Sequence, residues 1–277
     1  MTRPDPAAQL PGVNFSAPSA DQATIGNPAL KPYLSTNLDL GFEYYTGHEG
    51  VISFNAFRKA ISGFTTTNIT PNVPFSSLAQ YGITYDTLNP TQQIAINSHG
   101  GPTQAVVQLT SQINVPEKLT INGLEFQWVQ PLDFLTRHIG VTGFGFNANA
   151  TIVDQRSNGA AVAFGVAPFT YNITGYYEKH GVMLRVSTTS RRGSQGSGTA
   201  QNGIPAAALF NSDYTSYDFS SAFDLDKILG VPHLPQLTVN VSNFTDATLR
   251  SYFQFSNDTF TQYKPGRQVL VGLRGTF

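Results

Sequence analysis

The side chains that could do chemistry in this chain are few and scattered. Histidines stand at His48, His99, His138, His180 and His233. None has the HExxH or other paired spacing that puts two imidazoles on one metal, so neither a metal site nor a histidine base is expected. Asp39, Glu43, Glu125, Asp218 and Asp224, with Arg274 nearby in kind, offer the carboxylates that a glycosidase-type acid–base pair would need. They lie in different segments, and the alternation described below sends them all to one face. Arg191 and Arg192 precede the small polar run GSQGSG at 193–198. That run is too irregular for a phosphate loop and reads as a flexible connection. The two arginines read as solvated charges or as a contact for an anionic ligand or lipopolysaccharide. N-x-S/T triplets, among them Asn68, Asn149, Asn172 and Asn243, read as composition rather than as glycan acceptors. No catalytic, cofactor-binding, metal or substrate-binding residue is assigned, and the chain is read as a non-enzyme without a cofactor.

The composition says what kind of scaffold these residues sit on. Of the 277 residues, 12% are charged, about half the usual globular share, and another 12% are aromatic. Net charge is −1, which leaves no electrostatic footprint for nucleic acid. There is no cysteine, so disulfides and thiol chemistry are excluded. The mean hydropathy of −0.15 and the lack of a long apolar run exclude a helical membrane protein. A β-barrel stays open, because alternation hides its apolar face in any average. The N-terminus, MTRPDPAAQLPG, has no apolar leader.

Nine segments alternate with a period of two. The C-terminal one is the clearest: Val269, Val271, Leu273, Gly275 and Phe277 face one way, Gln268, Leu270, Gly272, Arg274 and Thr276 the other. The others are 37–45, 51–59, 120–130, 142–153, 169–178, 182–188, 217–225 and 237–243, the third of them beginning as early as Val106. In each, one side is apolar and the other rich in Asn, Ser, Thr, Asp and Glu. Tyr44, Tyr45, Trp128, Tyr176 and Tyr177 precede short turns, as an interfacial aromatic girdle would. The connections alternate in length. TGHEG (46–50) and EKHG (178–181) are tight, and 131–140 and 226–235 are moderate. The spans 60–105, 154–168, 189–213 and 244–264 are long and read as four external loops. Short turns on one side and long loops on the other are the habit of an outer-membrane barrel. The same alternation also fits a soluble sugar-binding β-domain, or a small self-contained porin or adhesin.

Four segments resemble one family in order and spacing. GNPALKPYLSTNLDLGFEYY (26–45) resembles its NP-x-L-x-P-x-x-S-x-N-x-D-x-G-x-E-x-Y stretch. INGLEFQWVQPLDFL (121–135) resembles its GxE strand and following turn. VSNFTD (241–246) resembles its N-L-x-D segment, and YKPGRQVLVGLRGTF (263–277) its PGR terminal strand ending in Phe. By these residues the chain resembles the C-terminal part of TonB-dependent outer-membrane receptors, in the branch common among Xanthomonas and Caulobacter relatives.

The resemblance implies an all-β antiparallel transmembrane barrel, present in part: about nine strands of a presumed 22-stranded barrel. Residues 1–34 would be an external loop or the end of a preceding strand, and 35–277 the C-terminal part of the barrel. The plug domain and the TonB-contact segment are missing from the pattern, so the chain is expected to be the tail of something longer and unable to import by itself. Energised uptake into proteoliposomes by residues 1–277 alone would overturn that expectation. At family level the resemblance implies TonB-driven nutrient uptake across the outer membrane of a Gram-negative bacterium. A carbohydrate is the suggested ligand and a siderophore the alternative. The implied partners are TonB (through the missing plug), outer-membrane lipid, an unidentified small molecule and the barrel-assembly machinery. That machinery would read Val269, Val271, Leu273 and Phe277. The charged residues of the polar face would line the barrel wall against the plug.

Overall fold

Each of the nine alternating segments is a strand, and all nine lie side by side in one sheet. The computed structural model describes residues 12–14, 22–116, 118–157, 161–197 and 208–275. Along the chain run β1 (Gly12–Asn14), β2 (Gln22–Ile25), β3 (Leu34–Tyr45), β4 (Val51–Ser62), β5 (Thr65–Pro74) and β6 (Val106–Asn114). Next come β7 (Leu119–Pro131), β8 (Phe144–Arg156), β9 (Phe169–Lys179), β10 (Val182–Arg191), β11 (Ser194–Ser197) and β12 (Leu209–Asn211). The last are β13 (Tyr214–Asp224), β14 (Gln236–Ser242), β15 (Leu249–Phe253), β16 (Thr259–Tyr263) and β17 (Gln268–Arg274). Three short helices, α1 (Pro90–Ser98), α2 (Asp133–Thr136) and α3 (Leu225–Leu229), lie in connections. The chain divides into two units: residues 1–36, 59–120 and 156–161 form one, and the remainder the other.

The larger unit carries the nine-stranded sheet, ordered β17-β14-β13-β10-β9-β8-β7-β4-β3. Its strands follow chain order, and the registers keep like faces together. Val241, Val239 and Leu237 of β14 stand opposite Val269, Val271 and Leu273 of β17. Phe144 and Ala148 of β8 stand opposite Tyr177 and Ile173 of β9. The apolar side has no cover within the described chain. Leu38 and Leu40 are 71% and 73% exposed, and Phe42, Phe126, Ile152, Ile173, Val186 and Val271 are exposed with them. Leaving a side chain of that size in water forfeits about 1.5–3 kcal/mol. A contiguous apolar sheet face of this extent is what a strand wall presents to lipid.

A second sheet, ordered β11-β12-β15-β16, belongs to the same unit. It prolongs two hairpins beyond the main sheet. β10 continues into β11 after Arg192 and Gly193, and β12 into β13 after Ser212 and Asp213. The break is bridged by the Gly193 amide, which donates to Asp213 Oδ1 over 2.7 Å. The long connections 189–213 and 244–264 are therefore partly strand. Residues 193–197 of GSQGSG are not a flexible run, because all but the first form β11, which pairs Ser194 with Asn211 and Gln195 with Phe210.

The smaller unit holds the dry core. Its sheet is ordered β1-β2-β6-β5, with β2 parallel to β6 and β5 antiparallel to it. Between β5 and β6 the chain makes helical turns at Phe75–Tyr81 and Tyr85–Thr87, then α1. Asn89 and Gln92 cap α1 reciprocally: each side chain accepts from the other's backbone N–H at 3.0 Å. Pro90 starts the helix where no amide is needed. Leu78, Ile96, Val107, Phe75 and Ala23 fill the core, Leu78 and Ile96 with no exposure at all. Residues 60–105 are thus a packed unit where a long polar loop was expected; their alternation is weak because helical turns, not strands, bury the apolar residues. The third main-sheet strand also does not reach back to Val106. β6 and β7 are separate strands, and Pro116, which has no amide to give a ladder, stands in the gap between them.

Candidate functional site: a two-faced wall and its loop-end cavity

The polar face of the main sheet carries the charged residues singled out from sequence, but does not gather them. Glu43 Oε2 accepts from Tyr45 Oη at 2.9 Å, and Glu125 Oε2 from Asn55 Nδ2 at 3.2 Å. Asp218 Oδ1 accepts from the Asn243 amide at 2.8 Å. Asp224 pairs with Lys227 at 2.7 Å. Asp39 is exposed on the edge strand β3, and Arg274 ends the other edge strand, β17, opposite Gln236. Glu125 on β7 and Asp218 on β13 are four strands apart in the sheet order, about 19 Å at the usual spacing. An acid–base pair needs its carboxyls within about 10 Å. Glu43, Glu125, Asp218 and Asp224 instead have local partners on the wall, and Asp39 and Arg274 stand on its two edge strands.

Two positions on this face combine a glycine with an aromatic ring. A Cβ at Gly123 would come within 2.1 Å of the Phe57 ring, and one at Gly145 within 2.2 Å of Tyr176 Oη. The rings fill the gaps that the glycines leave, a known way of closing a sheet. This corrects the aromatic girdle. Tyr176 lies on the polar face over Gly145, and Tyr45 lies there with Glu43, because each differs by one residue from its apolar-facing neighbour. Tyr44, Trp128 and Tyr177 stay with the apolar set. Trp128 meets Phe146 edge-on at 4.8 Å, and Phe144 lies 4.9 Å from Tyr177.

The short-turn end is locked by buried polar side chains that periodicity alone does not reveal. Gln130 is 4% exposed. Its Nε2 donates to His48 O and Pro131 O, and its Oε1 accepts from Thr46 Oγ1. His48 is an exposed turn residue whose ring stacks on Phe134 with centroids 4.6 Å apart. His180 and His233 occupy left-handed turn positions with φ of 51° and 66°. Among the described residues no cluster of His, Asp and Glu could hold a metal ion.

The four segments that carried the resemblance are pinning points. Asn27 Nδ2 donates to Gln112 O, while Asn114 grips Lys31 from both amide atoms. Gly123 and Glu125 have the partners given above. Asn243, 7% exposed with φ 53°, spends its whole side chain. Its Nδ2 donates to Ala247 O and Gly266 O, and its Oδ1 accepts from the Ala247 amide. Asp246 pairs with Lys264 at 2.7 Å. The VSNFTD and YKPGR segments are therefore one joint. Asn149 and Asn172 face each other across β8 and β9, with Asn172 Nδ2 donating to Asn149 Oδ1 at 2.9 Å.

Val269, Val271 and Leu273 share the apolar side of β17 and are 66%, 62% and 71% exposed. Phe277 lies outside the described residues.

At the long-loop end a cavity of about 450 Å³ opens where β8, β11, β12 and β15 converge. The connection 162–168 is fixed over it. Gln155 clasps Ala163 through both amide atoms, the Gly165 amide donates to Gln195 O, and the Val153 amide to Pro168 O. Phe210 and Tyr252 are stacked on its wall with centroids 5.7 Å apart, and the Arg250 guanidinium lies 5.6 Å from the Tyr252 ring. Arg192, Asp213 and Gln195 add polar groups to the lining. Arg191, its neighbour, lies over the Tyr214 ring at 5.7 Å. The cavity thus offers an aromatic platform, amides and one guanidinium to a polar molecule of small size.

Comparison with known proteins agrees with this geometry. No curated protein matches the chain. The ferric enterobactin receptor of Pseudomonas aeruginosa, solved in complex with enterobactin, is similar in structure with a TM-score of 0.59 at 17% identity. The match covers 99% of this chain and 37% of that one. A second mutant of the same receptor gives 0.56 at 17% identity, covering 93% and 33%. The FpvAI–pyocin complex gives 0.55 at 15%, covering 89% and 28%. This chain spans about a third of the length of the structures it matches. A sequence profile described as TonB dependent receptor-like, beta-barrel matches residues 3–244. The chain belongs to the TonB-dependent receptor β-barrel family, of which it forms a partial antiparallel barrel.

Proposed function

We propose that this chain is a stretch of barrel wall in an outer-membrane receptor that imports a small polar nutrient with energy delivered through TonB. The observation that carries this reading is the nine-stranded sheet with one uncovered apolar face and one polar face, on which Glu43, Glu125, Asp218 and Asp224 have local partners. The family consists of receptors and transporters, and no residue grouping among the described residues favours catalysis. The terminal strand β17, with Val269, Val271, Leu273 and the following Phe277, is the segment that the barrel-assembly machinery reads. Ligand is captured at the loop-end cavity. Its stacked Phe210 and Tyr252 with Gln155, Gln195 and Asp213 suit a hydroxyl-rich ligand such as an oligosaccharide. Arg192 on the same lining favours a second reading, a ferric siderophore with anionic groups, as does the likeness to the enterobactin receptor.

Uptake by cells tests this. Loss of the gene should abolish energised uptake of at least one oligosaccharide, and complementation should restore it. Equal uptake of every oligosaccharide and every ferric siderophore with and without the gene contradicts the import reading. Loss confined to a siderophore selects the second ligand class.

A further inference from the structure

Another cavity, of about 670 Å³, opens on the polar face at the short-turn end, among β9, β10, β13 and β14. Small side chains in one cross-strand row make room for it. Ala222 of β13 is paired with Thr238 of β14, and Thr238 with Gly272 of β17. Thr238 leans over Gly272, where a Cβ would stand 2.8 Å from its Oγ1, and so leaves the space above Ala222 open. Met183, paired with Ala222 on the other side, completes the floor. The rim is fixed where α3 meets the 179–182 turn. The Asp224 amide donates to Gly181 O at 2.7 Å, and a Cβ at Gly181, φ 80°, would lie 3.0 Å from Lys227 Cβ.

The charges around this cavity are spent locally. Lys227 pairs with Asp224 at 2.7 Å, Arg185 lies 3.5 Å from Glu178, and Lys179 donates to Thr142 Oγ1. The side chains of Gln236 and Asn240 on its wall make no hydrogen bond among the described residues. Two open amides over a floor of thioether and methyl suit an uncharged, hydroxyl-rich ligand. An amide offers a donor and an acceptor to neighbouring hydroxyls, and the thioether packs against C–H groups. A compact anion would find no lysine free of a partner on this lining. Towards the long-loop end the same face of β8, β9 and β10 carries two rows of uncharged groups. Asn149, Asn172 and Thr189 stand in register, then Asn147, Thr174 and Ser187. We propose that the short-turn cavity is a release site, where a neutral sugar is held on Gln236 and Asn240 after crossing those rows. The inference rests on the import reading and narrows its ligand to an uncharged saccharide.

The chain contains two methionines, Met1 and Met183, so a carbon-13 methyl label puts a reporter in the cavity itself, and Met183→Leu identifies its signal. The full chain in a sugar-free detergent is titrated with maltose, cellobiose and xylobiose, and with glucose 6-phosphate as the anionic probe. At least one disaccharide should shift the Met183 methyl saturably, and Tyr252→Ala at the loop-end cavity should leave that shift unchanged. Asn240→Leu, which removes an amide without adding bulk, should weaken the response about tenfold. Ala222→Phe should abolish it by filling the floor. No shift with any of the three disaccharides overturns the site, as does an undiminished response in both variants. So does a response to glucose 6-phosphate as strong as that to any disaccharide. Binding heat is measured alongside. Heat without a Met183 shift contradicts the release site and leaves the loop-end reading standing, whereas no heat from any disaccharide counts against sugar import itself.

Discussion

Tyr176 lies across Gly145: the two are directly paired in register between β9 and β8, and a methyl at position 145 would meet the phenol oxygen at 2.2 Å. A tyrosine in a strand row of Thr174 and Asn172 looks misplaced until this partner is seen. The ring covers the backbone that the glycine exposes and keeps the polar face closed. Gly145→Ala should displace the ring and lower stability by about 1–2 kcal/mol, while Tyr176→Phe keeps most of it. Thermal unfolding in detergent measures both; equal stability of all three proteins contradicts the pairing.

Gln130 should be the most sensitive polar residue of the short-turn end. Gln130→Leu keeps the size and removes bonds to His48 O, Pro131 O and Thr46 Oγ1. Burying carbonyls without partners costs about 1–3 kcal/mol. Amide exchange should quicken at residues 46–50 and leave β13 and β14 unchanged.

Asn243 joins two segments far apart in sequence. Asn243→Ala removes its bonds to Ala247 and Gly266, with an expected loss of about 2–3 kcal/mol. Arg267 follows Gly266 in the same joint, so trypsin should cut after Arg267 sooner in the variant than in the wild type.

The Lys227 ammonium is held above the ordinary lysine range by its hydrogen bond to Asp224 and by that carboxylate's charge. A raised lysine pKa means that its contribution is complete below the unfolded value of 10.5 and fades as pH rises through the folded one. The difference in melting temperature between wild type and Lys227→Met should therefore hold constant from neutrality to pH 10.5 and shrink above it. A difference that shrinks well before that point contradicts the assignment.

At the loop-end cavity, two substitutions separate the ligand classes. Tyr252→Ala removes the platform and should weaken a sugar ligand by about tenfold, with Arg192→Gln nearly silent. The reverse order identifies an anionic ligand. Isothermal titration with an oligosaccharide and a ferric siderophore decides.

Much of the main sheet could be read from the residues. Period-two alternation is strong where one face meets an apolar surround and the other does not, so all nine strands and both faces emerged from patterns such as Phe144–Ile152. Two features were out of reach for physical reasons. The core of Leu78, Ile96 and Val107 mixes helical turns with strands, which leaves no single period. Gln130 and Asn243 look like ordinary polar residues because their importance lies in backbone carbonyls distant in sequence. The Asx-type joint at Asn243 did leave a trace, in the VSNFTD and YKPGR segments that carried the resemblance.

The chain has no native cysteine, which makes the central claim directly measurable. Single cysteines replacing, one at a time, each residue from Phe146 to Ile152 can carry a spin label in the membrane-reconstituted protein. Accessibility should alternate: labels at Phe146, Ala148, Ala150 and Ile152 relax with oxygen dissolved in lipid, and those at Asn147, Asn149 and Thr151 with a water-soluble nickel chelate. Equal access to the water-soluble reagent at all seven positions would contradict a wall between lipid and water.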